Sequence, residues 1–132
     1  MSQNTEMVQQ AYRYIQSGEI QAFLSLLAED ILWEMPEMPN VPFGGVRHGR
    51  QRVRDFFQTL AEVQDVVEFV PEDFIAQGDR VVALGRFVMR VKATGKESRS
   101  AWAHVWTIEN GHAIRFREYV DTLAVSQAYT GP

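Results

Sequence analysis

His104 and Glu118 are the two residues whose types and placement could move a proton in this chain. They stand on opposite arms of a hairpin, Ala101 to Ile108 and Ala113 to Val120, joined by Glu109-Asn110-Gly111-His112. The turn decides whether they meet. A two-residue Asn110-Gly111 turn sets His104 against Arg117 and Trp106 against Arg115. A three-residue loop, with Gly111 in the left-handed region and a bulge, instead pairs Ile108 with Ile114, Trp106 with Phe116, His104 with Glu118 and Trp102 with Val120. A one-residue slip turns every side chain to the other face, and the second register is the one that separates apolar from charged residues. The sequence therefore predicts a His–Glu pair among aromatic rings, an arrangement that costs stability unless the pair is hydrogen-bonded or used.

The chemistry such a pair supports is proton transfer. A carboxyl group desolvated in an apolar pocket can act as general base or acid near neutrality, and an imidazole opposite can share its proton or tune it. Abstraction of a proton beside a carbonyl, with return elsewhere, gives isomerisation, cyclisation or dehydration without a cofactor. An enolate formed on the way needs a preorganised donor, worth about 3 kcal/mol. His104 or a tryptophan N–H are the candidates. The alternative is a non-catalytic binding or sensing module in which the pair only orients a ligand or satisfies itself.

Trp33, Trp102, Trp106, Phe116 and Phe87 are expected to line the pocket, because a buried indole N–H needs an acceptor and a wall facing a polar ligand atom provides one. Tyr14, on the first helix, is expected to reach the same cavity, and His48 to stand at its rim. His112 lies in the turn and is expected to be exposed. Arg86, Arg90, Arg115 and Arg117 form a basic stripe on the other face of the strands, suited to ion pairs at an interface. The three histidines show no ligand spacing, so no metal is expected. No Gly-rich phosphate loop or nucleophile elbow is present.

These residues need elements to hold them. Met7, Val8, Ala11, Tyr12, Tyr14 and Ile15 recur at helical spacing, with Asn4 or Thr5 as cap and Gly18 as stop. A short helix follows over about 19–28, then a strand over 31–35 that carries Trp33 and is ended by Pro36 and Pro39. The Pro- and Gly-rich stretch 36–49 reads as a loop, and 50–63 as a third helix with Val53, Phe56, Phe57 and Leu60 inside. From Asp65 onward the pattern is strand: 66–75, 80–92, 97–108 and the last arm of the hairpin. In 80–92, Val81, Ala83, Gly85, Phe87, Met89 and Val91 share one wholly apolar face, as in an antiparallel sheet. Helices first and strands second predict an α+β fold, with helices packed on one face of a curved sheet. Val82, Leu84, Val88 and Val105 make the opposite face apolar as well, and predict a homodimer through that convex face.

The bulk numbers exclude several classes. At 132 residues the chain fits one domain, 1–132. A net charge of −4 argues against nucleic acid as a partner. With no cysteine there is neither a disulfide frame nor a thiolate nucleophile. The polar start Met1 to Glu6 lacks the apolar core of a signal peptide, and no apolar run could span a bilayer. A soluble cytoplasmic protein with a small hydrophobic ligand, no membrane partner and no cofactor is the expectation.

Three helices, a first strand carrying Trp33, the Arg47-His48-Gly49 loop, His104-Val-Trp-Thr-Ile108 and Phe116-Arg-Glu-Tyr-Val-Asp-Thr122 together resemble the SnoaL-like branch of the nuclear-transport-factor-2-like superfamily, which includes polyketide cyclases and ketosteroid isomerase. The resemblance spans essentially the whole chain. It implies a cone-shaped barrel of strongly curved antiparallel sheet on three N-terminal helices, a cystatin-like α+β roll enclosing one apolar pocket. It also implies an acid on the last strand and a histidine on the strand before it at the pocket floor. Glu118 and His104 match these positions, with Glu where the cyclases usually carry Asp. Gly85-Arg86-Phe87 stands where limonene epoxide hydrolase has its Arg-x-Asp triad, so that triad is absent.

Overall fold

The computed structural model describes residues 2–131. Helix α1 (Gln3–Ser17) is capped by Ser2, whose hydroxyl accepts from the Thr5 N–H at 3.0 Å, so the cap falls earlier than the expected Asn4 or Thr5. Gly18 ends it in the left-handed region, where a side chain would be strained. Helix α2 (Ile20–Ser25) is shorter than expected because Leu27 already belongs to strand β1 (Leu27–Met35). The loop that follows ends in an unforeseen strand, β2 (Gly45–His48), paired antiparallel to β1. Helix α3 (Arg50–Val63) matches its sequence signal.

Strands β3 (Gln64–Gln77), β4 (Arg80–Val91), β5 (Glu97–Glu109) and β6 (His112–Val120) follow, and a short helix, α4 (Thr122–Ala128), closes the chain. The sequence predicts no helix at α4, which is only seven residues long. Its cap is Asp121, whose Oδ1 accepts from the Ala124 N–H at 3.0 Å.

The six strands form one sheet in the order β2-β1-β6-β5-β4-β3. All neighbouring pairs are antiparallel except β1 and β6, which run parallel. That corrects the wholly antiparallel sheet expected from strand alternation, since alternation reports faces and says nothing about direction. The sheet stays open, with β2 and β3 as its edges. Two register shifts in β3, between Val66 and Glu68 and between Pro71 and Asp73, bend that strand. Helix α1 packs on β3 and β4, and α2 and α3 pack on β1.

The hairpin resolves the register question in an unexpected way. Asn110 and Gly111 both have positive φ, at 52° and 78°, as a two-residue turn requires. Glu109 accordingly faces His112, and Ile108 faces Ala113 rather than Ile114. The register then shifts between Thr107 and Ile108, so that Trp106 faces Phe116 and His104 faces Glu118. The bulge exists, but one step away from the turn.

On β5 every second residue from Trp102 to Ile108 is buried, on the face turned towards the helices. The core gathers Phe23, Leu27, Ile31, Trp33, Val53, Phe56 and Trp106; each fully buried Leu, Ile or Phe side chain contributes about 1.5–3 kcal/mol of transfer free energy. Across the outer face one row runs Ile75–Val82–Val105–Arg117–Glu34–Val46, with Ile75 and Val46 more than half exposed. Among the described residues no helix is long and apolar enough to cross a membrane.

Candidate active site

Four side chains form one line of hydrogen bonds. The Trp106 indole N–H donates to the Tyr12 hydroxyl at 3.0 Å. Tyr12 Oη lies 2.6 Å from His104 Nδ1, and His104 Nε2 lies 3.0 Å from Glu118 Oε1. An indole nitrogen can only donate, which sets the direction. Tyr12 accepts from Trp106 and gives its own proton to Nδ1, leaving Nε2–H to donate to the carboxylate. Every nitrogen and hydroxyl in the line is then satisfied by a single histidine tautomer. Burial holds the Tyr12 phenol well above its ordinary range; the Trp106 N–H pulls it down, and the charge of Glu118 raises it further.

The rings fix the imidazole. Trp102 stacks on His104 with centroids 4.1 Å apart, and Phe116 meets it edge-on at 4.7 Å. Trp102 lies flat because its partner across the strands is Gly85. A Cβ there would sit 2.3 Å from Trp102 Cζ2 and 2.4 Å from the Val70 carbonyl oxygen. The parallel pairing of Trp33 with Phe116 stacks those two rings at 3.8 Å.

Beside this line opens a cavity of about 850 Å³ between α1, α3, β3 and the inner face of the sheet. Its lining is mostly apolar, and His104 and Glu118 both reach it. The side chains of His104 and Glu118 are 6% and 12% exposed. Glu118 Oε1 faces the imidazole, and Oε2 has no hydrogen-bond partner among the described residues. Among the described residues no group of three or more His, Cys, Asp or Glu side chains could hold a metal ion.

The SnoaL-like domain family matches residues 8–116, most of the chain and nearly all of the elements around the cavity. The chain belongs to the SnoaL-like family. In solved structures the SnoaL-like domain is similar to a nuclear-transport-factor-2-like protein of unknown function from Burkholderia pseudomallei, at 29% identity and a TM-score of 0.89 over 99% of this chain and 100% of that one. A nuclear-transport-factor-2-like protein from Burkholderia xenovorans is similar at 29% identity and 0.88, over 96% and 95%. TerC, co-crystallised with polyporic acid, is similar at 28% identity and 0.86, over 97% and 98%. Comparison with curated proteins finds no match.

Within the SnoaL-like domain, Trp33, Trp106, Phe116 and Phe87 line the cavity with His104 and Glu118. Trp102 does not; it stands behind His104, sealed by Phe69 and Gly85. Tyr14 packs at the edge of the core and misses the cavity, which takes Tyr12 instead. His48 is exposed on β2, opposite Leu32 and away from the lining. The expectation that indole N–H groups would face a ligand also needs correction. Trp106 gives its N–H to Tyr12. Those of Trp33 and Trp102 are fully buried without a partner.

Polar residues of the SnoaL-like domain's cavity that the sequence does not single out include Tyr12, Ser98, Arg54 and Gln58. Tyr12 belongs to the i, i+3, i+4, i+7 stripe Val8–Ala11–Tyr12–Ile15, and that spacing alone would have preferred it to Tyr14. Ser98 shares the inward parity of Trp102 and His104 on β5, is 3% exposed, and lines the cavity. Arg54 lies one turn before Gln58 on α3, and both reach the lining.

Proposed function

We propose that this SnoaL-like protein binds a small apolar, carbonyl-bearing molecule in the cavity and moves a proton on it without a cofactor, with Glu118 as base. The observation that carries this reading is the free Oε2 of a nearly buried carboxylate on the wall of an apolar cavity. Oε1 is held by the imidazole, so Oε2 is the oxygen left to take a proton from a carbon beside the ligand carbonyl. His104, backed by Tyr12, positions the carboxylate and steadies it through the Nε2–H. The reaction class is isomerisation, cyclisation or dehydration. Similarity to TerC supports a cavity that accepts a small organic ligand, and polyporic acid is a probe for it.

Proton abstraction can be read without the natural substrate. In deuterated water, 2-tetralone should exchange its hydrogens beside the carbonyl faster with the protein than with buffer. Glu118→Gln should abolish that gain while polyporic acid still binds, as followed by quenching of the cavity tryptophans. Exchange at the parental rate in Glu118→Gln eliminates Glu118 as the base.

A non-catalytic binding or sensing module is the second reading. It is favoured by the engagement of Tyr12 and Trp106, the two donors in line with His104, which leaves neither free for an enolate oxygen. In that case the native protein binds the probe and leaves the exchange rate of the ketone at the buffer value.

The same reading places the protein in the cytoplasm and assigns the outer sheet face, with Ile75, Val82, Val105 and Val46, to a second copy of the chain. Sedimentation as a stable monomer at micromolar concentration would remove the dimer.

A further inference from the structure

We infer that the ligand is amphipathic, with an apolar body in the cavity and an anionic group at its mouth that Arg54 receives. The inference rests on the cavity being a ligand site and adds the charge of the ligand. Among the described residues, three charged side chains other than histidine line the cavity: Glu118, Glu68 and Arg54. Glu118 is engaged by His104 on the wall, and Glu68 by Arg86 on the neighbouring strand. Arg54 makes no ion pair among the described residues. It is exposed yet part of the lining, which puts it at the opening.

The placement follows from helix geometry. Arg54, Phe57, Gln58 and Ala61 occur at i, i+3, i+4 and i+7 on α3, so one stripe of that helix faces the cavity. The stripe grades from a cation and an amide to an aromatic ring and a methyl group. A guanidinium offers five N–H donors in a planar fork and matches a carboxylate, sulfonate or phosphate in a bidentate contact. Val66 and Val67 of the lining are exposed and apolar, and Glu68 shares Arg86 with Glu72, so Arg54 is the lining cation left without an ion-pair partner among the described residues. A neutral apolar ligand would leave that charge unused, whereas an anionic end satisfies it while the body displaces water from the apolar walls.

Two fluorescent probes with the same aromatic body test this: 8-anilino-1-naphthalenesulfonate, which is anionic, and N-phenyl-1-naphthylamine, which is neutral. The native protein should bind the sulfonate more tightly, by about three- to fivefold, the range of an exposed ion pair, and added salt should erode that preference. Arg54→Gln should remove the preference, read as the ratio of sulfonate to neutral affinity, with an unaltered thermal midpoint showing that the fold is intact. A sulfonate-to-neutral ratio that is the same in native protein and Arg54→Gln overturns the anion assignment while the cavity stays a ligand site. Failure of the native protein to bind either probe overturns the ligand site and this inference together.

Discussion

Tyr12 and His104, 92 positions apart in the chain, are joined by a buried hydrogen bond of 2.6 Å. The first helix thereby fixes the imidazole tautomer on the fifth strand, and through it the proton that faces Glu118.

Removing only that hydroxyl leaves two buried groups, the Trp106 N–H and His104 Nδ1, without a partner. Tyr12→Phe should therefore destabilise the protein by about 1–3 kcal/mol while preserving its shape. Urea denaturation measures the loss, and a midpoint equal to the native one would show that the hydroxyl contributes nothing net.

The same phenol predicts an alkaline limit. Burial raises the Tyr12 pKa well above 10.0, and burial also raises that of Tyr129. A raised folded-state pKa means the native state holds these protons after the unfolded chain has lost them. Their contribution is therefore complete below pH 10 and decays as the pH climbs towards the folded values. Phenolate absorbance from Tyr12 and Tyr129 should appear only as the protein unfolds, and subtracting the titration curves of Tyr12→Phe and Tyr129→Phe isolates it.

Gly85 is required for space. A methyl group there would press into Trp102 and the Val70 carbonyl, and neither backbone nor stacked indole can yield easily. Gly85→Ala should cost about 1–3 kcal/mol and alter near-ultraviolet circular dichroism, because Trp102 must leave the face of His104. An unchanged aromatic spectrum would mean that the sheet can absorb the methyl group elsewhere.

Asp121 tests how far the cavity depends on the last helix. Asp121→Ala removes the side-chain acceptor for the Ala124 N–H and should cost about 0.5–2 kcal/mol. Val125 of α4 lines the cavity, so the affinity for N-phenyl-1-naphthylamine should fall with the loosened helix. Retained probe affinity alongside lower stability would uncouple α4 from ligand binding.

The meeting of His104 with Glu118 was legible because one hairpin contains both and the apolar pattern tolerates one register. The details of that hairpin were less so. Asn110-Gly111 makes the two-residue turn its composition favours, and the apolar pairing is recovered by a bulge beyond Thr107. Local turn chemistry and face segregation are both obeyed, at different positions, where the sequence reading chose between them. Tyr12 and Tyr14 are both aromatic on one helix, and only strict spacing separates the one that lines the cavity from the one that does not. The parallel pairing of β1 with β6 is a long-range choice with no local signature, and α4 is too short for its periodicity to stand out.

That parallel pairing has a consequence for synthesis. Strand β6 is made nearly last and slots between β1 and β5, so while the ribosome extends the chain β1 has only the four-residue β2 beside it. No nascent chain ending before Glu118 can form the Glu118–His104 pair, and the early strand must wait, sticky and half-covered, for its central neighbour.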